Sequence, residues 1–228
     1  MQKNPDYAKI IETLIFISYN MVKGSDFTMI TFFSHVIADF LYQKKVISKD
    51  YIDICAYGYE VFFFNLFNAL LILLFGILLD KLLYSIVFFL IFAVLRQYCG
   101  GFHAKSTIVC TIAYLLSYLF VIIISTTKAI TEMYTFPFCI IFNLTFIIMI
   151  FLYAPIENIN KPLESHEKIR NKKKSLLLSA VASILSCITF FIDIHMSAII
   201  ILTFFVIMIM MFIGTYIRKE DEISEKAS

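Results

Sequence analysis

The residues best suited to chemistry lie in a short polar stretch between two apolar segments. In this stretch His103 precedes Cys110 by seven residues. An imidazole can accept the proton of a thiol, and the resulting thiolate is a strong nucleophile. The pair therefore indicates nucleophilic chemistry at Cys110, with His103 as the base, provided that the two side chains meet.

The spacing of this pair requires a break in the backbone. On one continuous helix, seven residues correspond to about 10.5 Å of rise, whereas a nucleophile and its base must come within about 3 Å. Gly100 and Gly101 can end a helix, because glycine adopts backbone angles that other residues avoid. Ser106 or Thr107 can then cap a new helix. Cys110 would lie in its first turn, where the helix dipole and the free amide groups favour a thiolate.

Other interpretations of the same residues stay open. Cys110 could be a small packing residue and His103 an ordinary loop residue, as such residues often are. Cys99, His103 and Cys110 could all bind zinc, but their spacing is not a familiar ligand pattern and no fourth ligand lies nearby. The sequence also contains no nucleotide-binding motif and no serine hydrolase elbow. We therefore predict no metal and no other cofactor.

The composition indicates an integral membrane protein. Hydrophobic residues make up 61% of the 228 residues and charged residues only 16%, too few to cover a soluble domain of this size. The net charge is +2, and no basic cluster is interleaved with aromatic residues, so nucleic acid is not an expected partner. The five cysteines are scattered and give no disulfide framework, which predicts free thiols.

The hydropathy pattern predicts an all-α, polytopic membrane protein with six transmembrane helices in one domain, residues 1–228. The apolar segments that form the core, 61–217, are 61–79, 82–98, 108–125, 137–153, 175–192 and 196–217. Two amphipathic helices, 10–22 and 27–42, precede the spans and are expected to lie on the membrane surface within residues 1–60. Residues 218–228 form a tail.

The basic residues predict the orientation of these spans. If both termini are cytoplasmic, all lysines and arginines except Lys81 and Lys128 lie on the cytoplasmic side. This orientation also places Arg96 and the His103 stretch on that side. Lys172, Lys173 and Lys174 belong to a second basic loop on the same side. That loop can hold anionic lipid headgroups, and it can attract an acidic segment of a substrate.

Several of these residues carry a resemblance to a known family. Arg96, Gly101 and His103 form an R-x-x-x-x-G-x-H motif, and Cys110 follows the histidine by seven residues. Further along, the Tyr153-Ala-Pro155 turn precedes Asn160-Lys-Pro162. In these motifs, in its length and in its six spans, the chain resembles the accessory gene regulator B (AgrB) family. These are membrane endopeptidases that process quorum-sensing pro-peptides in Gram-positive bacteria.

The resemblance implies a function and a set of partners. It implies that Cys110 and His103 form a catalytic dyad and that an AgrD-like pro-peptide is the substrate. It also implies a homodimer in the lipid of a bacterial cell membrane, with both termini and the catalytic loop cytoplasmic. The implied reaction cleaves the C-terminal tail through a thioester on Cys110 and promotes cyclisation to a thiolactone or lactone. Backbone amides at Gly100 and Gly101, or the Arg96 guanidinium, are candidates for stabilising the oxyanion.

Two other functional classes compete with this interpretation. In a small peptide exporter without peptidase activity, the polar break would line the substrate pathway. In a nonenzymatic membrane sensor, Cys110 would only contribute to packing. Cys99 adds a second thiol beside the same loop, and so the choice of nucleophile also needs structural information.

Overall fold

The computed structural model describes residues 29–100, 107–156 and 164–227. Regular structure in these residues is helical, which confirms the predicted all-α class. The helices are α1 (Met29–Gln43), a short 3-10 helix (Lys49–Tyr51), α2 (Ile52–Leu78), α3 (Leu82–Cys99), α4 (Thr107–Ser125), α5 (Lys128–Met133), α6 (Phe136–Tyr153), α7 (Ser165–Ile192) and α8 (Ile194–Ala227). The amphipathic helix predicted at 10–22 lies outside the described residues.

Each of the six predicted spans coincides with a helix. Five helical stretches are long and apolar enough to cross a membrane: Lys49–Leu78, Leu82–Cys99, Phe136–Tyr153, Ser165–Ile192 and Ile194–Ile217. The remaining segment forms α4, whose apolar part Val109–Ser125 is shorter than these five. Its length still falls within the range of about 17 to 25 residues that a spanning helix needs. The chain is therefore a multi-pass membrane protein.

The chain divides into two compact units, Met1–Ala69 and Leu70–Ser228. In the first unit, the Thr31 hydroxyl of α1 donates a hydrogen bond of 2.9 Å to the Glu60 carboxylate of α2. The predicted apolar face of α1 stays largely uncovered, with Phe33 and Phe40 more than half exposed. An exposed apolar face suits a helix that lies on a membrane. The single membrane domain, with its tail at 218–228, stays a prediction.

In the second unit, α8 is the central helix. Within its most apolar stretch 67% of the residues are buried, against 33% for the corresponding stretches of α3 and α7. Helices α3, α4, α6 and α7 all pack against α8. The rings of Phe146 on α6 and Phe204 on α8 stack with their centroids 4.0 Å apart. Because most of α8 is buried, its contacts fix the positions of the helices that pack around it.

A polar network joins four helix ends of this unit, at the end of α3 remote from Arg96. The Asp193 carboxylate accepts hydrogen bonds from the Tyr84 hydroxyl (2.8 Å) and from the backbone amide of His195 (2.9 Å). The His195 ring lies 2.7 Å from the Ser125 carbonyl at the end of α4. An acidic side chain at the start of a helix satisfies free amides and complements the helix dipole. The network therefore holds the ends of α3, α4 and α7 beside the start of α8.

Candidate functional site

The predicted break in the backbone is present at Gly100. Helix α3 ends at Cys99, and Gly100 adopts a positive φ of 73°. Its amide donates a hydrogen bond of 3.1 Å to the Arg96 carbonyl, which closes the last turn of the helix. The next described helix, α4, begins at Thr107. Gly101, His103 and Ser106 lie outside the described residues.

The end of α3 is fixed to the segment that follows α6. The Ile156 amide donates a hydrogen bond of 2.9 Å to the Cys99 carbonyl, and Gly100 and Ile156 form an isolated parallel bridge. A Cβ atom added at Gly100 would collide with the backbone of Ile156, including its carbonyl oxygen. Only glycine combines this close approach with a positive φ without strain. Gly100 therefore positions two distant segments of the chain as well as ending a helix.

Cys110 lies in the first turn of α4 and is partly exposed. The guanidinium of Arg96, one turn before the end of α3, lies beside the Cys110 thiol. A cation beside a sulfur atom stabilises negative charge on that sulfur. The break in the chain thus brings Arg96 and Cys110 together, although fourteen positions separate them in the sequence.

Arg96 is held in place by apolar and sulfur groups. Its guanidinium carbon lies 5.4 Å from the centre of the Phe92 ring, one turn earlier on α3. One of its nitrogens donates to the sulfur of Met210 on α8, at 3.1 Å. Stacking on an aromatic face and contact with a polarisable sulfur both stabilise a partly desolvated cation. The position of Arg96 therefore depends on α8 as well as on its own helix.

A cluster of rings sets the register between α3 and α4. The Phe92 and Tyr114 rings have centroids 4.9 Å apart, and Phe88 lies 5.5 Å from Tyr118. Tyr118 is also within 2.7 Å of the Ser85 hydroxyl, a hydrogen bond inside the core. Such ring pairs add about 0.5 to 1.5 kcal/mol each beyond the area that they bury. A slip of α4 against α3 would break these contacts and separate Cys110 from Arg96.

The two cysteines near the break differ in exposure. Cys99 is fully buried in the hydrophobic core, with 0% of its surface exposed. Cys110 is partly exposed. A nucleophile must reach its substrate, and a buried thiol in apolar surroundings is inert. The exposure of the two thiols therefore favours Cys110 over Cys99 as a reactive group.

The three lysines that were predicted in a basic loop lie within α7 instead, and two of them reach over aromatic rings of other helices. The Lys174 ammonium lies 4.9 Å from the centre of the Tyr98 ring on α3. The Lys172 ammonium lies 5.0 Å from the ring of Phe151 on α6. Lys173 is exposed. Lys174 thus adds positive charge beside the end of α3 that carries Arg96.

The zinc interpretation stays untested, because His103 lies outside the described residues. Among the described residues, no three His, Cys, Asp or Glu side chains are grouped as a metal site would need. Cys139 and Cys187, expected to be packing residues, lie between α6 and α7. The Asn143 amide nitrogen lies 3.4 Å from the Cys139 sulfur and 3.8 Å from the Cys187 sulfur. His195 belongs to the polar network at the other end of α3.

Sequence reasoning missed several residues that build this site. Tyr114 and Phe92 lie one helical turn from Cys110 and Arg96, a spacing that could have pointed to them. Met210 and Ile156 come from distant segments, and no local pattern marks either residue as part of the site. The sequence pattern therefore locates the break in the chain but not the groups that hold it.

Comparison with known proteins assigns the family. The accessory gene regulator B family profile matches residues 34–213, which include α3, α4 and the break between them. The chain belongs to the AgrB family. It is 33% identical over 135 residues to the accessory gene regulator protein B of Staphylococcus carnosus, covering 59% of this chain and 67% of that protein. The resemblance inferred from the Arg96 to Cys110 motif is therefore confirmed.

Two further relatives extend the comparison. The chain is 27% identical over 153 residues to putative AgrB-like protein 2 of Clostridium perfringens, covering 65% of this chain and 71% of that protein. It is 25% identical over 121 residues to protein FsrB of Enterococcus faecalis, covering 53% and 49%. No solved structure matches the chain. AgrB membership gives the chain a role in quorum-sensing peptide processing and implies interaction with an AgrD pro-peptide.

Replacing Gly100 tests the close approach at the end of α3. In Gly100→Ala the added methyl group meets the Ile156 backbone at a positive φ, so we expect a loss of about 1 to 3 kcal/mol in stability. Thermal unfolding in detergent measures this loss. Gly58→Ala is the matched control, since nothing lies within 4 Å of its added carbon. Equal unfolding temperatures for both variants would contradict the assigned role of Gly100.

Proposed function

We propose that this AgrB protein is a membrane-embedded cysteine endopeptidase that cleaves the C-terminal tail from an autoinducing-peptide precursor. The observation that carries the proposal is the contact of Arg96 with the partly exposed Cys110 thiol, across a break between two helices. A packing cysteine needs no cation beside it. A nucleophilic cysteine does benefit from one, because the thiolate is its reactive form.

His103 completes the proposed dyad. It lies outside the described residues, and its role rests on the motif that it shares with Arg96 and Cys110. The imidazole takes the thiol proton, and the thiolate attacks a peptide carbonyl carbon of the precursor. When the carbon–nitrogen bond breaks, the imidazolium returns the proton to the departing amine. The acyl group stays on Cys110 as a thioester.

The thioester sets up ring closure. A cysteine or serine of the precursor attacks the thioester carbonyl, which gives a thiolactone or a lactone and releases Cys110 as a thiolate. The imidazole accepts the proton of the attacking group in this step, and the thiolate then recovers it. Apolar surroundings that exclude water favour attack by the tethered group over hydrolysis. Each step returns the enzyme groups to their starting protonation states.

Arg96 is the better placed of the two groups considered for the oxyanion. The Gly100 amide already donates to the Arg96 carbonyl, so in this conformation it is engaged within the chain. The Arg96 guanidinium lies beside the Cys110 thiol, which attacks the carbonyl carbon in the proposed reaction. A fixed positive charge at that position stabilises the negative charge that develops on the carbonyl oxygen. Gly101 stays a candidate outside the described residues.

The proposed orientation places this chemistry at the cytoplasmic face of the cell membrane. With both termini cytoplasmic, the basic residues concentrate on the side of the Arg96 end of α3. Lys172, Lys173 and Lys174 lie at the same face and are proposed to attract an acidic segment of the precursor. Lipid headgroups and a second copy of the chain complete the proposed surroundings.

Alanine substitutions test the catalytic dyad. Coexpressed with the cognate precursor, Cys110→Ala and His103→Ala should each leave the precursor at full length, because the nucleophile or its base is lost. Gel analysis of a tagged precursor measures the cleaved fraction. Cys99→Ala is the control, since this buried thiol takes no part in the reaction, and this variant should still cleave.

Two outcomes would overturn the assignment. Undiminished cleavage by Cys110→Ala would exclude this thiol as the nucleophile. Peptide export that survives Cys110→Ala, from a precursor that is never cut by the parent protein, would favour the exporter instead.

Charge removal at the start of α7 tests the proposed attraction. Changing Lys172, Lys173 and Lys174 to glutamine should slow cleavage of a precursor with an acidic tail more at low salt than at high salt. The reason is that salt already screens the attraction in the parent protein, with a Debye length of about 10 Å at 0.1 M. Initial cleavage rates in proteoliposomes measure the effect.

The control for this test removes the same charge elsewhere. Lys44, Lys45 and Lys49 are changed to glutamine in a second variant, and protease protection verifies that both variants insert in the parental orientation. Equal salt dependence in the parent and the Lys172 to Lys174 variant would leave the three lysines as topological anchors only.

A further inference from the structure

A groove of about 490 Å³ lies between α6 and α7 in the second unit. Its lining is apolar except for Asn143 of α6 and Ser183 and Cys187 of α7. Asn143 lies near the middle of α6 (Phe136–Tyr153), which is long and apolar enough to cross a membrane. Lipid tails at that depth offer no hydrogen-bonding group. The polar atoms along this groove therefore depend on protein partners.

The side-chain amide of Asn143 has only part of its hydrogen bonds. Its nitrogen donates to the Cys139 carbonyl at 2.9 Å, and this bond fixes the amide, because a flipped amide would bring two oxygens together. The remaining hydrogen on this nitrogen has the Cys139 and Cys187 sulfurs nearby, which are weak acceptors. Within the described residues, the side-chain oxygen has no hydrogen-bond partner, although Asn143 is only 4% exposed. Such an oxygen is costly in hydrocarbon.

Ser183 differs from the other serines of α7. The hydroxyls of Ser175 and Ser179 donate to backbone carbonyls of their own helix, each at 2.9 Å. The Ser186 hydroxyl lies 3.3 Å from the Ser197 hydroxyl of α8. Ser183 is just as enclosed, with 6% exposed, but its hydroxyl has no partner among the residues that the structure describes. One groove thus contains two polar side chains with unused hydrogen-bonding capacity.

We propose that a second copy of this chain packs into the groove, in a dimer whose two-fold axis runs along the membrane normal. Such an axis keeps every residue at its own depth, so each residue near the axis meets its own counterpart. An amide carries a donor and an acceptor, and so does a hydroxyl. Asn143 therefore exchanges two hydrogen bonds with Asn143 of the other copy, and Ser183 forms one with Ser183 of the other copy.

The shape and chemistry of the groove favour this occupant. Ala180, Ser183 and Cys187 follow one another at helical spacing along the lining of α7, and small residues let helices approach closely. A lipid chain would leave both polar side chains unpaired. Side-chain rotamers often change at interfaces, and Ser183 needs one such change to turn its hydroxyl outwards. The groove shares no residue with the pair Arg96 and Cys110, so the inference does not depend on peptidase activity.

Dimerisation in lipid bilayers tests the inference. The full-length protein, labelled at a terminal tag, is reconstituted into phosphatidylglycerol and phosphatidylcholine vesicles at decreasing protein-to-lipid ratios, without any precursor. Single-molecule photobleaching counts the copies and gives the dissociation constant of the dimer. The variants are Asn143→Leu and Ser183→Ala, with Ser179→Ala as the matched control. Unfolding temperatures verify that each variant is folded.

The expected result follows from the number of bonds lost. An interhelical hydrogen bond in a membrane changes an affinity by about 3-fold. Ser183→Ala should therefore raise the dissociation constant about 3-fold, and Asn143→Leu, which loses two bonds, about 10-fold. Ser179→Ala should leave it unchanged, because the Ser179 hydroxyl already has its partner within α7.

Cysteine cross-linking identifies the face that meets the second copy. The background protein has its three partly exposed cysteines, Cys55, Cys110 and Cys187, changed to alanine. One new cysteine is then placed at Ile184, which lines the groove, or at Leu116 on α4; both side chains are 61% exposed. A bismaleimide should join two copies through Ile184→Cys and not through Leu116→Cys.

Four results would overturn the inference. The first is a parent protein that stays monomeric at every density, and the second is a parental dissociation constant in both Asn143→Leu and Ser183→Ala. The third is cross-linking through Leu116→Cys with none through Ile184→Cys. The fourth is cross-linking of Ile184→Cys to added precursor with none between copies, which would assign the groove to the precursor. Cleavage that survives Cys110→Ala would refute the proposed function alone, so the two failures are distinguishable.

Discussion

The contact of the Arg96 guanidinium with the Cys110 thiol is the interaction on which the site depends. Neither residue could make it on a continuous helix, because their positions would be far apart along the axis. The contact exists because α3 stops at Gly100 and α4 returns along α3. Gly100 is in turn constrained by Ile156, whose backbone lies too close for any side chain. One glycine thereby connects the end of α3, the segment after α6 and the Cys110 thiol.

The surroundings of Arg96 explain how a membrane protein retains an arginine at a helix end. A cation in or near the hydrocarbon region is costly and is generally kept for function. Here the guanidinium lies on the Phe92 ring and against the Met210 sulfur, both of which are polarisable. Helix α8 supplies Met210 and is also the most buried helix of the second unit. The position of the charge is therefore determined by the core of the protein.

Much of this arrangement could be predicted from the sequence, and the reason is that its signals are local. Apolar runs predicted the five helices that are long enough to cross a membrane and also α4, and Gly100 predicted the break before α4. Ile156 and Met210 could not be assigned from local patterns, because their roles come from contacts between segments distant in sequence. The preference for Cys110 over Cys99 likewise required the exposures of the two thiols. The role of His103 stays a proposal that rests on the family motif.

Detection of the acyl-enzyme tests the central claim most directly. The protein is mixed with its precursor, quenched in acid and digested, and each cysteine peptide is examined for an attached precursor fragment by mass spectrometry. Our account predicts a fragment on Cys110 that neutral hydroxylamine removes, as expected for a thioester, and that is absent in Arg96→Gln or much reduced. A fragment attached to Cys99 or to any other residue, or cleavage with no adduct on Cys110 at any time, would contradict it.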